Sequence, residues 1–447
     1  MAGGCPPILR RLALAVMLFL GAVQAQAQSL IRDAEIESAL RQLAAPLATA
    51  AGLNANRLRV LVLNDSSLNA FVADNRTIFI HSGLMLRLTS SAQLQAVLAH
   101  EMAHIANGHI TRRRANLRNT GSAAALGVLL SAAVAATGNS KAAAGLAIGS
   151  SSSAQRLFFA HTRAEESSAD HAGLRYMARA NVPPDAMVEV LDLFRGQEAL
   201  SAGRQDPYVR THPLTNDRLR AVKGFAAGQS AKGGDRATED YWYARARGKL
   251  EAFIRNPAQT LRKVGKSDSS DIALMRRAVA YHRRPDTQSA LREIDRLLAK
   301  RPNDPFVHEL KGQILLESRN FGAAVNAYGR AVSLAPKEPL IAAGYGRALL
   351  ALKTRDGDRR ALQALTQARS RDPYDPSMLR DLAVAYARAG QNGMASLVTA
   401  ERYALNGRLQ DAGVHAQRAT GLLPRGSAGW NRAQDVLAAA KAAQKRR

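Results

Sequence analysis

The chain has 447 residues, 47% of them hydrophobic and 5% aromatic, with 62 Lys and Arg against 36 Asp and Glu, a formal charge of +26. That length is ample for two domains. The basic residues are spread along the chain rather than gathered beside aromatics, so nucleic-acid binding is not expected, while peripheral contact with anionic lipid headgroups stays open.

The first element is a signal peptide over residues 1–27. Arg10 and Arg11 form its charged region, Leu12 to Val23 its apolar run, and Ala25-Gln26-Ala27 a small-x-small cleavage site. The apolar run is too short to span a bilayer. The single cysteine, Cys5, precedes that run instead of following it, so a lipid anchor is not expected. A mature chain without cysteine suits an oxidising periplasm.

Residues 32–50 read as an amphipathic helix. Leu58 to Leu63 and Thr77 to His81 read as strands of a small sheet. Ser90-Ser91-Ala92-Gln93 is a capping box that opens a helix, Leu94, Val97, Leu98 and Ile105 supply its apolar spacing, and Asn107-Gly108 ends it. Inside that helix stands His100-Glu101-Met102-Ala103-His104. His100 and His104 are i and i+4, so both imidazoles leave one face and can bind one zinc ion. Glu101, one residue past the first ligand, can act as general base toward a water held there. This is the chemistry of peptide hydrolysis.

A catalytic zinc needs a third protein ligand and leaves its fourth position open. The metzincin pattern would put Gly and His where Asn107 and Ile110 stand, so the ligand lies elsewhere. Glu166 and Asp170, again i and i+4, can supply it. Glu166 completes a His-His-Glu site, and Asp170 can accept a hydrogen bond from the outer nitrogen of a ligand histidine. Between them and the motif helix, residues 121–149 are rich in Ala and Gly. Each apolar half is too short to cross a membrane, which leaves a buried hairpin, a flap over the cleft or a membrane-touching segment.

Residues 223–237 read as a linker, followed by a helix from about 239 to 255 and a polar stretch, Lys266 to Ser270. From about 271 the chain repeats every 34 residues, the TPR length. Ala278, Tyr281, Ala290, Ile294, Leu297 and Pro302 recur as Gly312, Leu315, Ala324, Tyr328, Ala331 and Pro336. A third unit runs to Pro373 with about three extra residues, a further set ending at Pro424 is out of register, and a basic helix near 427–445 closes the stack. Such repeats form a curved solenoid whose concave face binds peptide.

The His-Glu-x-x-His motif, the later Glu166 to Asp170, Asn69-Ala70-Phe71, Gly83-Leu84-Met85 and Thr211-His212-Pro213-Leu214 with Arg218 together resemble the gluzincin metallopeptidases of the CAAX prenyl protease and HtpX type. Within them the chain is most similar to the periplasmic, TPR-containing BepA-like branch. His161-Thr162-Arg163 stands where that family has Tyr-Ser-Arg. The resemblance implies that His212 lies near the metal. There it can donate to the oxyanion, bind the zinc and hold the enzyme latent, or merely cap the next helix. Arg218 can pair with Asp170 or stay solvated. His81, His109, His161 and His171 lack ligand spacing and are expected to be structural. In zincins an edge strand pairs with the substrate backbone.

The expectation is thus an α+β zincin-like catalytic domain, mostly helical with a small sheet, over residues 28–222. A linker and connecting helix follow over 223–270, and an all-α TPR solenoid over 271–447. His100, His104 and Glu166 bind one zinc ion per chain, Glu101 and His212 are catalytic, and Asp170 supports a ligand. The resemblance implies an exported endopeptidase for misfolded or unassembled polypeptides, with outer-membrane assembly machinery as a partner of the repeats. The alternative is a TPR chaperone or adaptor with a latent or structural zinc site.

Overall fold

The computed structural model describes residues 29–112, 163–201, 204–228 and 234–444. The signal peptide, residues 121–149 and His161 lie outside them. Strand β1 (Ser29–Ile31) leads into helix α1 (Ala34–Ala50), whose first turn is capped by the Asp33 side chain accepting from Ile36 N–H. Strands β2 (Arg59–Asn64), β3 (Ala70–Val72) and β4 (Thr77–His81) complete a sheet of order β1-β2-β4-β3. β2 and β4 pair in parallel, and the outer strands are antiparallel to their neighbours. The two central strands are apolar on both faces. Val60, Val62, Ile78 and Ile80 join the main core, while Leu61, Leu63 and Phe79 form a second cluster on the other side.

Among the described residues β3, like β1, is an edge of the sheet. Asn69 O accepts from His81 N–H and Ala73 N–H donates to Thr77 O, so alternation turns the backbone groups of Ala70 and Val72 away from the sheet. β1 and β3 have no counterpart in the sequence pattern; a three-residue strand is too short to show alternation.

The short helix α2 (Ser82–Arg87) precedes α3 (Ser91–Ala106), which carries the motif. Ser90 accepts from Gln93 N–H, and Gln93 Oε1 returns to Thr89 N–H, one residue earlier than a standard capping box. Every residue from Ser91 to Ile105 is buried, which makes α3 the central helix of the catalytic unit. Against it pack α4 (Arg163–Arg179) and α5 (Asp185–Asp192). The short α6 (Pro207–Thr211) and then α7 (Asn216–Ala227) follow. α7 runs through the first five residues of the expected linker, because Val222 and Ala226 are buried and hold it in register.

The connecting helix that follows is packed on both sides. Helix α8 (Ala237–Ile254) puts Tyr243, Ala246 and Leu250 into the catalytic core and Ala252 into the first cluster of the repeats. Helix α9 (Pro257–Val264) leads to the repeat helices α10 (Asp271–His282), α11 (Thr287–Lys300), α12 (Pro305–Glu317), α13 (Phe321–Leu334), α14 (Pro339–Ala351), α15 (Arg355–Arg371), α16 (Pro376–Arg388), α17 (Asn392–Leu405), α18 (Leu409–Leu422) and α19 (Ala428–Gln444). Tyr328 is the knob between two units. A Cβ at Gly312 would come within 2.6 Å of its ring, and one at Gly344 within 2.5 Å. Both positions therefore need glycine for the helices to close on the ring.

A charged seam joins the catalytic unit to the repeats. Arg32 binds Glu37 and Asp372, Arg41 lies 2.7 Å from Glu338, and Arg245 binds Glu35 and Asp304. Lys249, fully buried, is 2.9 Å from Asp33, 3.2 Å from Glu35 and 3.5 Å from Glu309. Buried ions of this kind are held only by such multiple pairing. Among the described residues no helix is long and apolar enough to cross a membrane.

Candidate metal centre

α3 presents His100 and His104 on one face, with their Nε2 atoms 3.1 Å apart. α4 brings Glu166 and Asp170 to the same place. Its close approach depends on Gly173, where a Cβ would stand 3.3 Å from Ala99 C and His100 N and 3.0 Å from Met187 Cε. His212, at the end of α6, completes the group. Ligand atoms of His100, His104, Glu166 and His212 all lie within 4.8 Å of one another, and all four residues are buried.

The spacing suits a metal. Glu166 Oε2 is 3.4 Å from His100 Nε2, and Glu166 Oε1 is 3.3 Å from His104 Nε2 and 3.1 Å from His212 Nδ1. His100 Nε2 is 3.3 Å from His212 Nδ1. A tetrahedron with bonds of about 2.0–2.1 Å has edges of about 3.3 Å, the geometry of zinc with nitrogen and oxygen ligands. The donor set of imidazoles and one carboxylate fits the same ion.

The surrounding groups decide which nitrogen faces inward. His100 Nδ1 is 2.9 Å from Asp170 Oδ1 and donates to it, which leaves Nε2 for the cluster. His104 Nδ1 is 2.8 Å from His109 Nδ1, a contact that orients the second imidazole in the same sense. Arg218 forks onto Asp170 through Nε and Nη2, and its Nη1 is 2.6 Å from Glu166 Oε2. Arg218 is therefore buried and paired, not solvated. His212 Nε2 lies 3.2 Å from Ala70 O on the open strand edge, which it meets as donor. That bond turns the lone pair of Nδ1 into the cluster. Tyr208 lies against the His212 ring at 4.6 Å between centroids. The cap of α7 is Thr215, which accepts from Arg218 N–H, so His212 does not have the capping role.

Electrostatics follow from burial and pairing. Burial pulls the His100 imidazolium down, but Glu166 and Asp170 outweigh it and push its pKa up to about 10. Burial would raise Glu166, yet Arg218, His212 and His100 hold it well below the usual carboxylate range. Burial likewise opposes ionisation of Asp170, and Arg218 holds it down. Burial keeps Glu101 above its ordinary value despite His212 and His100. Among the described residues neither Glu101 oxygen, both buried, has a hydrogen-bond partner, Oε1 standing 3.3 Å from His212 Nε2. Such a carboxylate is costly unless something other than protein meets it.

Among the histidines expected to be structural, His81 contacts Ser67 Oγ at 2.9 Å, away from the cluster. His109 is different: it touches a candidate ligand. It lies beyond the end of α3, five residues after His104, where helical spacing gives no signal.

Residues 31–226 match the model of peptidase family M48. The chain is similar to the beta-barrel assembly-enhancing protease of Yersinia pestis, 25% identical over 368 residues, which cover 80% of this chain and 74% of that one. The protein of the same name from Escherichia coli K12 is 24% identical over 390 residues, 86% of this chain and 78% of that one. Among solved structures, a thermophilic TPR protein of Thermus thermophilus is 19% identical with a TM-score of 0.27, covering 38% of this chain and 100% of that one.

Proposed function

We propose, from the match of residues 31–226 to the model of peptidase family M48, that the chain is an exported zinc metalloendopeptidase. It acts on misfolded or unassembled polypeptides in the periplasm, in the assembly or quality control of outer-membrane proteins. The link to β-barrel assembly is supported by the relatives' name, and the location by the signal-peptide pattern of residues 1–27. The single observation that carries the catalytic part is Glu101, a buried carboxylate with no hydrogen-bond partner among the described residues, beside four candidate ligand atoms that lie within 4.8 Å of one another.

His100, His104 and Glu166 hold the metal. When bound, zinc supplies a Lewis acid that polarises the scissile carbonyl and makes water acidic enough to be used near neutral pH. Glu101 takes the proton of the attacking water on its carboxylate and passes it to the leaving amine. Its raised pKa suits that shuttle, since the base must also release the proton. Asp170 and His109 fix the orientation of the two imidazoles. Arg218 offsets the charge of Glu166 and Asp170, which keeps both ionised in a dry site.

The substrate enters as a strand added to β3, where Ala70 and Val72 face outward. His212 stands in its way at two points. It occupies the Ala70 carbonyl, and its Nδ1 fills the fourth corner of the cluster. This arrangement is a resting state, and its supporting observation is the pair of His212 contacts.

Cleavage of casein, an unfolded probe, tests the proposal. The zinc-loaded protein cuts it, and Glu101→Gln keeps the metal but loses cleavage by about 10²–10⁴-fold. A Glu101→Gln protein that cuts at the parental rate contradicts the assignment. No cleavage by any zinc-loaded form, His212→Ala included, favours the TPR adaptor instead.

A further inference from the structure

Helix α18 buries one face and leaves the other bare. Ala412, Ala416 and Ala419 are fully buried where α18 packs on α17 and α19. At about 100° per residue, Val414, Arg418 and Leu422 lie on the opposite side of the helix. Val414 is 65% exposed and Leu422 is 54% exposed, the two highest values for a large hydrophobic residue among the described residues. A single exposed leucine is ordinary, but the two most exposed apolar side chains on one helix face mark a contact surface.

The charge around this face has one sign. From Ala412 to Gln434 the chain carries Arg418, Arg425 and Arg432 and no Asp or Glu. Arg432 turns to Glu401, 3.6 Å away, whereas Arg418 and Arg425 are exposed. The acid just before the run, Asp411, is taken by Arg408 at 2.7 Å. Arg402, from the end of α17, lies 4.9 Å from the Tyr403 ring, and that ring stacks on His415 of α18 at 5.3 Å. Burial first, then Arg418 and Arg402, hold the His415 imidazole below its ordinary value, so both guanidinium groups act on the same spot.

Apolar side chains with unopposed arginines between them are what a helix lying on a lipid interface presents. The apolar groups enter the boundary between headgroups and acyl chains, and the cations meet phosphates. Val414 and Leu422 are about 12 Å apart along the helix, which leaves them too dispersed to form the packed apolar centre of a protein interface. We infer that this face of α18 rests on a bilayer surface rich in anionic phospholipid, with Val414 and Leu422 inserted and Arg418 and Arg425 on the phosphates. The contact lies at the far end of the repeats from the catalytic unit. It does not rest on the peptidase reading and needs no metal.

Vesicle co-flotation of the mature protein, residues 28–447, tests the inference at about 150 mM salt, where the Debye length is about 8 Å. The vesicles are phosphatidylcholine alone, or phosphatidylcholine with one third phosphatidylglycerol. The parent binds the anionic vesicles about tenfold or more tighter than the neutral ones. A chain of +26 is drawn to any anionic surface, so the variants locate the contact. Val414→Gln with Leu422→Gln leaves the charge unchanged and weakens binding about fivefold or more. Arg418→Gln with Arg425→Gln also weakens it about fivefold or more. Arg57→Gln with Arg76→Gln removes the same charge from exposed positions of the catalytic unit and changes binding less than about twofold. Every replaced side chain is exposed, and circular dichroism establishes folding. Residues 28–447 contain no cysteine, which allows a second reading. A polarity-sensitive dye on Val414→Cys shifts to the blue on anionic vesicles, and the same dye on Arg76→Cys does not. No binding to anionic vesicles, unchanged binding in the folded α18 variants, or equal loss in the Arg57 and Arg76 pair overturns the inference. Binding of polyglutamate in place of vesicles, lost in the α18 variants, assigns the face to an acidic protein and overturns it too.

Discussion

Asp170 Oδ1 lies 2.9 Å from His100 Nδ1, and this contact turns the other ring nitrogen of His100 into the cluster with His104, Glu166 and His212. The same carboxylate is gripped by Arg218, which also reaches Glu166. Arg218 thus ties the carboxylate that orients His100 to the carboxylate within the cluster.

Asp170→Asn keeps the shape of that contact but removes its charge and leaves Arg218 short of a partner. Zinc affinity, measured by competition with a chelator, falls about 10–100-fold. Unchanged affinity would show that Asp170 does not support the ligand.

His212→Ala opens the fourth corner of the cluster and frees the Ala70 carbonyl for a substrate strand. Casein cleavage becomes several-fold faster at equal zinc content. Loss of cleavage would instead make His212 a donor to the oxyanion, a role typically worth about 10²–10³ in rate.

Gly312→Ala drives a methyl group to 2.6 Å from the Tyr328 ring. Overpacking of this kind costs about 1–3 kcal/mol, and the denaturant midpoint of the repeats falls accordingly. Gly322→Ala meets nothing within 4 Å and serves as the control. It is neutral or slightly stabilising, since alanine is the better helix former. Equal midpoints for the two variants would contradict the packing account.

Glu309 gives the junction a pH dependence. Burial raises its carboxyl, Lys249 on α8 opposes, Asp33 and Glu35 at the start of α1 add to the rise, and the result is about 7. Tyr328 on α13 also feels its charge. The unfolded chain releases the same proton near ~4.3. The native state therefore holds the proton more tightly, and the associated stability is full below that value and lost as pH rises through 7. Glu309→Gln stays neutral throughout. Its melting temperature relative to the parent rises from pH 5 to pH 8, and a pH-independent difference would contradict the assignment.

Much of this was legible because the informative residues are periodic. The i, i+4 spacing of His100 with His104 and of Glu166 with Asp170 announces one face of a helix, and a 34-residue repeat announces paired helices. The strands β1 and β3 were not legible, being too short to alternate. Nor was the role of His109, which follows the end of α3. The helical start of the expected linker was hidden for a compositional reason: Gly, Ala and Lys suit a loop, but Val222 and Ala226 are buried and α7 continues to Ala227. The charged seam joins Arg32 to Asp372 and Arg41 to Glu338 across about 300 residues, and no local pattern announces such pairs.

Zinc content is the most direct measure of the central claim. Elemental analysis of the purified mature protein and of Glu166→Ala gives the result. The His-His-Glu centre predicts about one zinc per chain in the parent and its loss or sharp weakening in the variant. A parent that takes up no zinc even after reconstitution, or a variant that holds it as tightly as the parent, contradicts the account.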